Sequence, residues 1–140
     1  MKRTIFLTGV LFGILAVMLG AFGAHGLENL VVADAIQTWD TGVTYQMYHA
    51  LFLLVLAGIG QIPEAKKKWI YYCILSGVVL FSFSIYFLAT NSITSFDFKI
   101  IGIVTPIGGL LLITGWALLG FKYWKFNKIS SKNKFWYAFS

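Results

Sequence analysis

A chain of 140 residues with 59% hydrophobic and only 11% charged residues departs from soluble domains, which carry about 25% charge. Its charges gather at the ends of apolar runs, as at a bilayer boundary. The net charge of +6 flanks those runs, so lipid headgroups rather than nucleic acid are the expected partner, and the single Cys73 excludes an internal disulfide or a Cys-x-x-Cys redox centre.

Met1, Lys2 and Arg3 precede an apolar run of about twenty residues, too long for a secretory leader core, which predicts a retained first span over residues 4–25. Gly9, Gly13, Ala16, Gly20 and Gly23 step by 4, 3, 4 and 3, so one seam of that helix is nearly bare backbone where another helix can press close. The run closes on GAFGAHGL, which places His25 near the far interface, wet or capping.

Residues 28–40, with Leu27 just before them, carry Leu30, Val31 and Ala35 at helical spacing from it among acids. They predict a short interfacial helix, with Trp39 in the aromatic belt and Asp40 or Thr41 capping a second span over 41–61. That span opens TGVTYQMYHALFL. Tyr45 and His49 stand four residues apart on one helical face with Gln46 beside them. Hydrocarbon offers these groups no hydrogen bonds, so each requires a partner from the protein or a ligand.

Pro63 and three lysines make residues 62–68 a turn. The third span, 69–90, has Trp69, Tyr71 and Tyr72 at its belt and a seam of Cys73, Gly77, Leu80 and Ser84; Ser76, Ser82 and Ser84 can bond back to helix carbonyls. A polar connection, 91–99, leads to a fourth span, 100–121, opened by GIVTPIGG. There Pro106 is expected to free the carbonyl of Gly102, which with the Thr105 hydroxyl would serve His49 or Gln46. Gly108 and Gly109 loosen the same turn. Ten of the eleven basic residues fall on the side of the termini and the 62–68 turn, which predicts cytoplasmic termini in a multi-pass cell-membrane protein. Residues 122–140 form a basic, aromatic tail expected to rest on anionic headgroups.

The fold predicted is therefore all-α: an integral membrane four-helix bundle in one transmembrane domain, 1–121, with a short interfacial helix between the first two spans. No phosphate-binding loop, nucleophile elbow or His-Glu-x-x-His motif is present, and neither histidine has a carboxylate at ligand spacing, so neither metal nor cofactor is expected. An enzyme has little visible machinery beyond a histidine beside a tyrosine and a glutamine.

The stretches GAFGAHGL (20–27), TGVTYQMYHAL (41–51), LFSFSIYFLA (80–89) and TPIGGLLLITGWALL (105–119) together resemble the landmarks of the small bacterial membrane proteins grouped as domain-of-unknown-function family 423. The likeness covers residues 5–121. It implies a four-helix integral membrane protein and brings no activity or catalytic residue with it. This chain departs at Phe83, where the family commonly has glycine, and in its longer tail.

Two functions of different kind follow from the residues. The first is non-enzymatic assembly, as a homo-oligomer or with a membrane-protein partner, through packing seams that contain Gly9, Gly13, Gly20, Gly77, Gly108 and Gly109. The second is a lipid or small-molecule binding protein, or minimal transporter, whose polar pocket in the outer half of the bundle is lined by His25, Tyr45, Gln46, His49 and Thr105.

Overall fold

The structure, a computed structural model, describes residues 1–95 and 97–137, with side chains through Lys128 except that of Lys99. The tail side chains beyond Lys128, with Lys132, Lys134 and Trp136 among them, lie outside the described residues.

The fold is all-α. Helix α1 runs Lys2–Leu27 and ends in a wide π-helical turn, Gly23–Leu27. Helix α2 is Ala33–Gly58, α3 is Glu64–Ala89 with a second π-helical turn at Val79–Phe83, and α4 is Val104–Tyr137. Short 3-10 turns, Asn91–Ile93 and Phe98–Ile103, bridge α3 and α4. α1, α3 and α4 are each long and apolar enough to cross a membrane. α2 is as long as α1 and α3 but more polar at its start, and it packs between them, while α3 packs between α2 and α4.

The expected interfacial helix does not form a separate element. Residues after Leu27 make a tight turn closed by Leu30 and Val31 amides on the Leu27 carbonyl, and Ala33 then starts a helix that passes through Asp40 without a break. The physical reason is that the threonines join the helix rather than stop it. Thr38 Oγ1 donates to the Asp34 carbonyl and Thr41 Oγ1 to that of Gln37, both at 2.9 Å, so neither residue is left to cap. Two aromatic residues placed in the belt by sequence are instead buried. Trp39 is 5% exposed, and Tyr71 lies in the core with its hydroxyl 3.0 Å from that of Thr8 on α1.

α4 also begins later than the sequence suggests. Pro106 falls in its first turn, where its missing N–H removes no helical bond, so the helix is not broken within its span. α3 begins earlier, because Glu64 and Lys67 pair one turn apart at 2.6 Å and extend the helix to Pro63. Lys67, counted as a loop cation, is 1% exposed.

The glycines decide how closely these helices approach. A Cβ built on Gly9 would stand 2.9 Å from the Ala50 carbonyl oxygen, and one on Gly108 would stand 2.5 Å from the Phe81 amide nitrogen. Gly108 thus seats the wide turn of α3 directly on the α4 backbone. This close approach occurs at Leu80 and Phe81 rather than at Phe83, whose ring meets Tyr86 edge-on.

Candidate functional site

Polar groups in the middle of the bundle are tied helix to helix. Gln46 is fully buried: its Nε2 donates to the Phe12 carbonyl of α1 at 3.0 Å, and its Oε1 accepts from the Tyr86 hydroxyl of α3 at 2.9 Å. One amide thereby joins three helices. Above it the Trp39 indole N–H donates to the Leu19 carbonyl, and the Trp39 ring packs 4.7 Å from that of Tyr86. Gly23 permits this arrangement, since a Cβ there would lie 2.6 Å from Trp39; Gly42 does the same for Tyr86 at 2.7 Å.

His49 is buried one helical turn further along α2. Its Nδ1 stands 2.7 Å from the Tyr45 carbonyl, and its Nε2 receives the indole N–H of Trp116 from α4 at 3.3 Å. A carbonyl on one side requires Nδ1 to carry the proton, and an indole donor on the other requires Nε2 to be bare. The geometry therefore selects the Nδ1–H tautomer. Phe52 holds Trp116 in place edge-on, with ring centroids 4.6 Å apart.

Beside this pair opens a cavity of about 300 Å³ lined by Tyr45, His49, Phe81, Gly109, Leu112, Ile113 and Trp116. Its walls are apolar, with His49 at one side and Tyr45 at another. The Tyr45 ring is 41% exposed and packs on Phe81, and its hydroxyl makes no hydrogen bond among the described residues.

The sequence-derived pocket residues are only partly brought together. Tyr45 and His49 share the cavity; Gln46 points away from it into the α1–α3 clamp. Thr105 pairs with Ser84 at 2.7 Å and serves neither His49 nor Gln46, because α4 begins only at Val104 and leaves Thr105 in its first turn, far along the helix from Trp116. His25 is exposed on the terminal turn of α1. Sequence reasoning missed Tyr86 and Trp116 as the side-chain partners of Gln46 and His49, and Trp39 as the ring packed on Tyr86. The legible signal was Trp116 itself, an indole N–H deep in an apolar run and in need of an acceptor. Ser76 and Ser84 bond back to their own helix carbonyls, but Ser82, in the wide turn, is fully buried with no partner for its hydroxyl among the described residues. Among the described residues no group of three or more His, Cys, Asp or Glu side chains could hold a metal ion.

Fold and site together define a small, multi-pass, all-α integral membrane protein whose interior polar groups are largely paired with one another. The chain belongs to the DUF423 family, described as a protein of unknown function, whose model matches residues 19–109. It is 42% identical over 117 residues to a UPF0382 membrane protein of Staphylococcus saprophyticus, covering 84% of this chain and 93% of that one. It is 40% identical over 124 residues to the UPF0382 membrane protein YwdK of Bacillus subtilis, with the same two coverages. No solved structure matches. Three of the four landmark stretches, 41–51, 80–89 and 105–119, meet one another in space: Gln46 meets Tyr86, Gly108 meets Phe81, His49 meets Trp116, and Ser84 meets Thr105.

Proposed function

We propose that this protein binds a membrane-soluble molecule, an apolar body carrying a hydrogen-bond acceptor such as a carbonyl, in the cavity between α2 and α4. The observation that carries this is the Tyr45 hydroxyl, about 18 Å along α2 from Ala33 and without a partner among the described residues, at the wall of a 300 Å³ apolar cavity. A donor at that depth gains most from a ligand acceptor. His49 and Trp116, already bonded to each other, form a fixed wall rather than a second hook. The glycine seams offer less to an assembly partner, since Gly9, Gly23, Gly77, Gly108 and Gly115 are filled by the chain's own helices.

The orientation we adopt has both termini cytoplasmic. Its support is that Lys122 Nζ reaches the Lys66 carbonyl at 2.8 Å, gathering the lysine-rich turn and the α4 cations at one end of the bundle.

The test is chemical extraction of purified protein followed by mass spectrometry. Gly109→Leu fills the cavity, and its Cβ would sit at an ordinary 3.7 Å from the Phe81 ring, so the fold should be kept. An apolar compound that co-purifies with the native chain, declines in Tyr45→Phe and disappears in Gly109→Leu is the expected result. Identical extracts from all three proteins would refute the cavity as a binding site.

A further inference from the structure

At the other end of the bundle, away from the α2–α4 cavity, the first turn of α1 separates two crevices. One, of about 500 Å³, is lined by Lys2, Arg3, Phe6, Leu54, Ala57 and Gly58. The other, of about 370 Å³, lies between Arg3, Thr4, Leu7, Thr8 and Leu11. Arg3 is the ridge common to both. The floors are apolar or small, and the cations stand where α1 meets the aqueous boundary.

From this we infer that the α1 N-terminus is a seat for one anionic diacyl phospholipid: the phosphate rests on Arg3 and Lys2, and one acyl chain lies in each crevice. Charge complementarity selects the headgroup. Among the described residues the one ion pair joins Lys67 to Glu64, whose carboxylate also accepts from the Lys2 backbone N–H near the Met1 ammonium; that carboxylate is thus already engaged, and the Lys2 and Arg3 side chains form no ion pair with it. Arginine's planar fork suits two phosphate oxygens at once, while lysine adds a point charge. The apolar floors select the tails. Phe6, Leu7 and Leu11 are about half exposed and would be covered by acyl chain. Gly58 keeps the larger crevice open, since nothing lies within 4 Å of a Cβ built there.

Native mass spectrometry of the full-length protein, released from a neutral detergent, tests the seat. The probes are dioleoyl phosphatidylglycerol, its single-chain lyso form, dioleoyl phosphatidylcholine and inorganic phosphate. The expected result is one tightly retained phosphatidylglycerol, bound in preference to the other three. Arg3→Gln should weaken it roughly fivefold, one surface charge's worth of attraction. Gly58→Leu should also weaken it by occluding a crevice, with thermal stability in detergent unchanged because its Cβ enters open space. Equal retention of phosphatidylcholine, equal retention of the lyso form, binding of phosphate alone, or unaltered phosphatidylglycerol retention in both variants would each overturn the proposal.

Discussion

Trp116 donates its indole N–H to Nε2 of His49 across α4 and α2 at 3.3 Å, and this bond fixes which ring nitrogen holds the proton. Nitrogen NMR of the imidazole in detergent should therefore show a protonated Nδ1 and a bare Nε2. Trp116→Phe keeps the aromatic packing on Phe52 but removes the donor, and should cost about 0.5–1.5 kcal/mol in thermal unfolding. A predominance of the Nε2–H tautomer would contradict the geometry.

The Gln46 clamp predicts strong coupling. Gln46→Leu leaves the Tyr86 hydroxyl buried without an acceptor, and Tyr86→Phe leaves the Gln46 Oε1 without a donor. Each single change should destabilise by about 1–3 kcal/mol, and the double variant by less than their sum. Additive losses in a denaturation cycle would mean that the two groups do not act as a pair.

Glycines of one seam should answer differently to the same methyl group. Gly9→Ala places a Cβ against backbone oxygen, an overpacking change of about 1–3 kcal/mol. Gly13→Ala meets only the Ala50 methyl at 3.8 Å, and should be neutral or stabilising by up to about 1 kcal/mol through helix propensity. Melting temperatures of the two variants side by side decide the matter, and equal losses would place the close approach elsewhere.

Ser82 is buried with an unpaired hydroxyl in the wide turn of α3. Removing that group by Ser82→Ala should raise stability by about 1 kcal/mol, the reverse of a normal truncation. A lower melting temperature would show that the hydroxyl has a partner in the membrane.

For orientation, a cysteine at Asn29 in a variant lacking Cys73 should react with an impermeant reagent in intact cells, while one at Lys66 should react only after permeabilisation. The opposite pattern would invert the protein in the bilayer.

Composition and charge placement made the four helices and the membrane class legible, because hydrocarbon enforces long apolar runs. The ends of the helices were less so. Asp40 and Thr41 look like caps in sequence, and only the helix running on through both, with Thr41 bonded one turn back to the Gln37 carbonyl, shows that they continue α2. At the site, the need of Gln46 and His49 for partners was readable, but the identity of those partners was not. Side-chain reach and the register between helices choose Tyr86 and Trp116, and both depend on glycine approaches such as Gly42 on Tyr86 that sequence spacing does not encode.

The closest approaches of a glycine to another helix's backbone fall within two helical hairpins, α1 with α2 at Gly9, and α3 with α4 at Gly77 and Gly108. Between the hairpins run the bonds from Thr8 to Tyr71, Gln46 to Tyr86 and His49 to Trp116. During synthesis the first hairpin can close its backbone contacts before the second has entered the bilayer. Until then the acceptors on Gln46 and His49 are exposed to lipid, with nothing there to satisfy them. They act as sockets for the tyrosine and tryptophan of the later hairpin, and a first hairpin made alone leaves both acceptors without those donors in hydrocarbon.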